Sequence, residues 1–436
     1  MKTIPVRTAA PPPAAGQPRG WRLAWLFAAP HRLAFAAGAL MLATSGAWWA
    51  AVMTGRLLGL VATPALPPTI VHGLWMALGF MPLFFAGFLF TAGPKWLGLP
   101  AVDARSLRGP VAAQLAGWLV LLIAAQVSNP VEARVLGGLG VGAATVGWSA
   151  IAWRFAMMVR RSRAPDRVHA AVIAGAGAIG ALAFVVAAVA LASGDFHLVR
   201  LATLVALWGF IGIVYVAVAH GMIPCFSASA LPVLDAWRPM WLLTVFVATL
   251  ALQGGFAVAE ALVWPLPTAW QLARAALEAV FGVGVLALAL RWGLVQSLKV
   301  RLLAMLHIGF FWLGIAFVLS AASHVLGLIG DRSLGLAPLH AYTMGFLGST
   351  LIAMATRVSA GHGGRTLAAD GVVWALFWAL QAAVMLRIAG AVATPLGWPA
   401  TPILTTASLL WAAVVIAWAL RYGRWYGQPR IDGRPG

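Results

Sequence analysis

Residues 170–193 read AAVIAGAGAIGALAFVVAAVALAS. No side chain in this run carries a charge, and as an α-helix it is long enough to cross the roughly 30 Å hydrocarbon core of a bilayer. Just before it stand Arg160, Arg161, Arg163 and Arg167. The same combination, an apolar block with a basic flank, recurs along the chain. Working outward from 170–193, the expected spans are 33–53, 71–92, 109–127 and 135–157 before it. After it come 201–222, 239–259, 269–290, 303–324, 336–357, 371–393 and 401–421. None shows the period-2 alternation of an outer-membrane barrel, so the blocks are read as helices. Of the 436 residues, 62% are hydrophobic and 9% charged, too few charges to cover a soluble domain of this size. The expected fold is all-α: a polytopic membrane helical bundle of about 12 transmembrane helices. Two spans carry charge. Span 269–290 holds Arg274 and Glu278, which at i, i+4 share a helix face and can pair. Arg387 in the eleventh span must snorkel or face the protein interior.

A net charge of +19 would suit nucleic acid if it were clustered, but it is partitioned by side. Segments on the side of the N-terminus hold Lys2, Arg7, Arg19, Arg22, Arg32, Lys95, Arg105 and Arg108, then the Arg154–Arg167 group, Arg238, Arg291, Lys299, Arg301, Arg357 and Arg365. Arg421, Arg424, Arg430 and Arg434 close the list. The other side has Arg56, Arg134, Arg200, Arg274 and Arg332. The positive-inside rule places both termini in the cytoplasm, in a bacterial inner membrane, with the lipid bilayer and no nucleic acid as partner. Residues 1–30 read as a flexible cytoplasmic tail, 31–422 as one transmembrane domain and 423–436 as a short cytoplasmic tail. No cleaved signal peptide is expected, because the first long apolar run has full span length and lies too far in. Cys225 is the single cysteine, which excludes an internal disulfide and a Cys-x-x-Cys-His attachment site for c-type haem. No phosphate-binding loop, Gly-x-Ser-x-Gly elbow or midplane carboxylate pair occurs, and no repeat relates the two halves.

Ionisable side chains inside a membrane are costly and mark sites. The nine histidines fall in two layers. His72, His197, His324 and His340 lie on the outer side, and His31, His169, His220, His307 and His362 on the cytoplasmic side. His31, His169 and His197 sit in loops or at span edges and are read as solvated. His72, His220, His307, His324 and His340 lie within or at the ends of spans, where neutral imidazole is a metal ligand by preference. His72 and Met76 are four apart on the second span, and His340 and Met344 on the tenth. Each pair therefore shares a helix face, and imidazole with thioether suits haem iron or copper. Packing is the commoner use of methionine. Gly73, Gly79, Gly87, Gly345 and Gly348 suit either close helix packing or a flat macrocycle between helices.

Three stretches carry a family resemblance. The first is His72-Gly-Leu-Trp-Met-Ala-Leu-Gly-Phe80, continuing as Ala86-Gly-Phe-Leu-Phe-Thr-Ala-Gly-Pro-Lys-Trp96. The second is Leu306-His-Ile-Gly-Phe310. The third is Leu339-His-Ala-Tyr-Thr-Met-Gly-Phe-Leu-Gly348 with Arg357-Val-Ser-Ala-Gly-His-Gly-Gly-Arg365. Over about residues 25–420 the chain resembles the NnrS family, haem- and copper-containing membrane proteins linked to nitric oxide metabolism and nitrosative stress in proteobacteria. His220-Gly-Met-Ile-Pro-Cys-Phe-Ser227 is a weaker match, with Gly221 where the family usually has arginine. Leu74 and Trp75 replace a histidine and a glutamate of the family's usual His-x-His-Glu-Met, which shifts the expectation from copper toward haem. The resemblance implies ligand roles for His72 and His340 on the outer side and for His307 and His362 on the cytoplasmic side. Topology adds His220 to the second group. Arg357 and Arg365 suit haem propionates, although positive-inside residues would stand there too.

The expected function is therefore haem binding, with copper as a further candidate, in a response to nitric oxide. A haem–copper oxidase-like nitric oxide reductase is a weaker alternative, since its copper site typically uses an adjacent His-His pair and none occurs. A secondary transporter is the other, weakened by the missing repeat and midplane carboxylates. His72 and His340 are expected to approach each other near the outer face, and His220 and His307 to lie at similar depth.

Overall fold

The computed structural model describes residues 20–60, 64–330 and 332–433. Residues 1–19 of the expected N-terminal tail, with Lys2, Arg7 and Arg19, lie outside them, as does Arg434. Among the described residues, eleven helices are long and apolar enough to cross a membrane. They are α1 Pro30–Leu57, α2 Pro68–Trp96, α3 Ala104–Ala124, α4 Pro130–Arg161, α5 Val168–Ser193 and α6 Phe196–Ala230, followed by α7 Met240–Leu262, α8 Thr268–Arg291 and α9 Arg301–Gly330. The last two are α11 Gly371–Ala393 and α12 Ala400–Tyr426.

Between α9 and α11 a further helical run, α10, covers 337–362. At 1.5 Å per residue it is about 39 Å long. It falls short of the others in apolarity because Ser349, Thr350, Thr356 and Ser359 are buried in it. Protein, not lipid, surrounds these groups. Gln381 on α11 donates to Ser349 (3.0 Å), the Trp418 indole on α12 donates to Thr356 (3.0 Å), and Ser359 bonds the Tyr426 hydroxyl (2.8 Å). A helix enclosed by helices can hold hydrogen-bonding side chains that a lipid-facing one cannot. The fold is thus an all-α polytopic bundle.

Helix ends follow their local chemistry. Asn129 caps α4 by accepting from the amides of Val131 and Glu132, with Pro130 in the first turn. Asp195 and Asp370 cap α6 and α11 in the same way. Gly194, at φ 82°, closes α5 in the left-handed region that glycine enters without strain. The chain ends meet at one end of the bundle. The Arg22 amide donates to the Gly427 carbonyl (2.8 Å), and the Arg32 guanidinium to that of Gln428 (2.6 Å). Residues 23–28, inside the expected tail, form a short 3₁₀ turn.

The packing recurs every fourth helix. Extensive contacts join α12 to α1, α4 to α5 and α8 to α9. Within the groups, α3 packs along α4 and α11 along α12, but the corresponding neighbours α7 and α8 scarcely meet. The second member of each group, α2, α6 and α10, is interrupted by a π-helical stretch: Trp75–Gly79, Ala206–Gly212 and Ala341–Gly348. Such stretches shift the backbone bonding to i→i+5 and cluster at functional sites. An aromatic column joins the three helices. Phe85 meets Phe210 and Tyr215 edge-on, Tyr215 meets Phe346, and Trp208 stacks on Tyr342 at 4.2 Å. The glycines on these helices serve contact within the protein. A Cβ on Gly87 would lie 2.5 Å from the Phe35 ring, and one on Gly345 2.7 Å from the Trp312 ring.

Candidate metal centre

His72 and His340 stand near the starts of α2 and α10, at the end of the bundle opposite the chain termini. They are within electrostatic reach of each other, and Arg387 on α11 reaches both. The eleventh-span arginine thus faces protein. The His340 Nδ1 lies 2.9 Å from the Leu336 carbonyl. A carbonyl only accepts, so Nδ1 carries the hydrogen and Nε2 of the neutral ring keeps the lone pair. A backbone carbonyl holding the far nitrogen is the usual support for a metal-binding imidazole. The His72 ring stacks on Trp49 at 3.9 Å, and its Nδ1 is buried with no hydrogen-bond partner. Met76 and Met344 are half-buried and packed against the apolar core.

The histidines at the end of the bundle that holds the chain termini fall into three separate arrangements. His220 Nε2 donates to the Pro239 carbonyl (3.1 Å), so its Nδ1 accepts from His169 Nε2 (2.9 Å). Both of its nitrogens are engaged. His307 on α9 bonds Ser227 on α6 through Nε2 (2.8 Å). The single Ser227 hydroxyl hydrogen goes to the Ile223 carbonyl (3.0 Å), so His307 Nε2–H is the donor. His307 Nδ1 then holds a lone pair, buried and without a partner. His220 and His307 both lie toward the end of the bundle that holds the termini and are fully buried, but each bonds a different group. The His362 ring lies 4.7 Å from that of His31. At that spacing the rings touch, and no macrocycle fits between them. Arg32, Lys95 and Arg430 surround this pair. Arg357 stacks over Phe226 (3.9 Å) and Arg365 over Trp425 (4.1 Å), so both guanidinium planes lie on aromatic faces.

His31 and His169, read from sequence as solvated, are therefore a buried ring and a hydrogen-bonded partner of His220. The signal for His31 was its place directly after Pro30, at the first turn of a spanning helix. Its contact with the tenth helix has no local trace.

From mid-bundle to the level of His220 and His307, α1, α2, α6, α9 and α10 line a partly open apolar cavity of about 60 Å³, with Phe35, Phe84, Tyr215, Leu306, Thr350 and Met354 among its walls. The hydroxyls of Tyr215 and Thr350 are buried there without partners. Among the described residues no three His, Cys, Asp or Glu side chains converge as a metal cluster. The histidines instead present single imidazoles or pairs.

No curated protein matches the chain closely enough to count as a relative. Residues 25–430, nearly all of it and every span described above, match one protein family, and by that match the chain belongs to the NnrS proteins.

Proposed function

We propose that the chain is a haem-binding protein of the inner membrane, with both termini cytoplasmic, that engages nitric oxide in a nitrosative-stress response. The observation that carries this reading is the outer histidine pair. The two imidazoles stand near the starts of α2 and α10 at the same end of the bundle, one with its lone pair directed by the Leu336 carbonyl and one with a buried, unpartnered nitrogen. A buried, unpartnered polar atom such as His72 Nδ1 is rare and calls for an explanation, and ligation of a haem iron would supply one. His72 and His340 would hold the iron, which when bound would supply electron transfer, or a site for a diatomic ligand once one imidazole has left it. Arg387 would offset the negative charge of propionates, and Trp49 offers a flat face beside His72. The apolar cavity would accept a small membrane-dissolved gas. It is lined almost wholly by hydrocarbon, with two hydroxyls able to donate a weak hydrogen bond. Copper is a further candidate at the imidazole–thioether pairs His72–Met76 and His340–Met344.

The test is a visible spectrum of the detergent-purified protein, oxidised and reduced, before and after nitric oxide. A Soret band that moves with the gas and disappears in His72→Ala and His340→Ala is expected. A colourless protein after expression with ample haem refutes the cofactor. A band that survives both substitutions moves the iron away from the outer pair.

A further inference from the structure

The four-helix packing recurrence fails at α7 and α8, and a second, chemically different place opens there. A cavity of about 340 Å³ lies between α6, α7, α8, α9 and α10 at the end opposite the termini. Its lining includes Gln253, Glu260, Arg274, Ser320, His324 and Tyr342. Beneath it sits Glu278, 0% exposed although it carries a carboxylate. One oxygen, Oε1, accepts three hydrogen bonds: from Gln253 Nε2 (2.8 Å), Arg274 Nε (3.0 Å) and Ser320 Oγ (2.8 Å). The other, Oε2, lies 2.7 Å from His324 Nδ1. Three donors on one oxygen require the ionised carboxylate, so Nδ1 of His324 bears the hydrogen and Nε2 is the open position. Arg274 also bonds Glu260 Oε2 (2.7 Å), tying α8 to α7 through charges where their backbones part.

The charge count is the decisive feature. Arg274 carries +1 and Glu260 and Glu278 −1 each, so the cluster is one negative charge in excess inside a low-dielectric bundle. One proton on His324 makes it neutral. Arg274 alone satisfies pairing, and a purely structural bridge has no need of the second carboxylate or of an imidazole facing a cavity. The other titratable or charged groups in the cavity's lining are Arg200 at the exposed rim of α6 and Tyr342 on α10, with His340 two residues from Tyr342 and exposed Arg332 in the loop after α9. The polar lining and the volume suffice for several water molecules. The Gln253 Oε1 atom, buried and without a partner, is an acceptor available to the innermost of them.

From this geometry we infer that His324 and Glu278 form a proton-loading dyad at the floor of a water-filled vestibule open to the outer face, a function that goes beyond gas binding and stands without it. The proton passes from a vestibule water to His324 Nε2, and the imidazolium stays bonded through Nδ1–H to ionised Glu278. No electron moves and no other bond changes. Intramembrane acid–histidine pairs next to water are the usual components of proton relays.

The experiment uses the full-length protein in lipid nanodiscs and diethylpyrocarbonate, which acylates neutral but not protonated imidazole. Peptide mass spectrometry reads the rate at each histidine at pH 8 and pH 5. Exposed His197 is the internal reference, and an ordinary imidazole is protected about 30-fold over that interval. His324 is expected to react at pH 8 while fully buried His307 does not. Acid is expected to protect it at least threefold more than His197. In Glu278→Gln the extra protection should vanish, because the imidazolium loses its counter-charge. No reaction of His324 at pH 8 overturns the open vestibule. Wild-type protection no greater than that of His197, or equal protection in Glu278→Gln, overturns the dyad. Should the variant fail to fold, the wild-type comparison of His324 with His197 decides the question alone.

Discussion

Replacing Arg274 by methionine isolates the energetic weight of the buried ionic cluster. The side chain of Arg274 is 7% exposed and bridges Glu278, fully buried, and Glu260, 30% exposed. Arg274→Met leaves Glu278 with Gln253, Ser320 and His324 as its donors but without its fixed positive neighbour. Breaking a buried pair by removing one partner costs about 3–5 kcal/mol, because the remaining charge is stranded. At about 1.4 kcal/mol per tenfold, that is a fall of roughly two to three and a half powers of ten in the folding constant. The double variant Arg274→Met/Glu278→Met removes both charges, and apolar replacement of a whole buried pair is about neutral, so most of the loss should return. Glu260→Gln should cost under about 1 kcal/mol, since that carboxylate keeps its contact with water. The assay is reversible unfolding in mixed micelles by titration with sodium dodecyl sulfate, followed by tryptophan fluorescence. A single variant that loses less than about 1 kcal/mol refutes the account of a desolvated, mutually dependent cluster. So does a double variant no more stable than the single one.

Two further substitutions test the packing that places the candidate ligands. Ser227→Ala removes the acceptor of His307 Nε2–H in a fully buried setting and should cost about 1–3 kcal/mol in the same assay; an unchanged midpoint would show that the imidazole finds another partner. Gly87→Ala places a Cβ 2.5 Å from the Phe35 ring and 3.2 Å from the His31 backbone, and should cost about 1–3 kcal/mol by overpacking α1 against α2. Gly284→Ala on α8 meets nothing within 4 Å and should be neutral or slightly stabilising, so equal effects at the two glycines would refute the close approach.

Apolar block length and charged flanks made the spans legible, because the bilayer imposes both on every crossing helix independently of its neighbours. The tenth span shows where that logic weakens. Its Ser and Thr residues lower its apolarity because Gln381, Trp418 and Tyr426 are there to bond them, and only the tertiary structure supplies those partners. Arg274 and Glu278 were readable as a pair because i, i+4 is a local relation. Glu260, Gln253, Ser320 and His324 come from two other helices, and no spacing rule connects them. The His31–His362 contact is hidden for the same reason. The π-helical stretches leave no pattern in hydropathy. The recurrence in the packing is in thirds, so comparing the two halves of the sequence does not reveal it.

The break in that recurrence bears on how the two candidate sites relate. Where α3 meets α4, and α11 meets α12, small and apolar side chains bring the backbones together, as at Gly117, Gly140 and Gly147. Between α7 and α8 the corresponding surface is occupied by Gln253, Glu260, Arg274 and Glu278, whose length and charge hold the helices apart. A packing seam has been replaced by a polar, charged opening. Its inner wall is Tyr342, two residues beyond His340 and inside the π-helical stretch of α10. The Tyr342 ring stacks on Trp208 of the α6 stretch and its hydroxyl donates to the Leu207 carbonyl (3.3 Å). The outer imidazole pair and the carboxylate vestibule therefore share one irregular backbone segment. The route from His340 to the vestibule wall is two residues of main chain rather than a path of remote contacts.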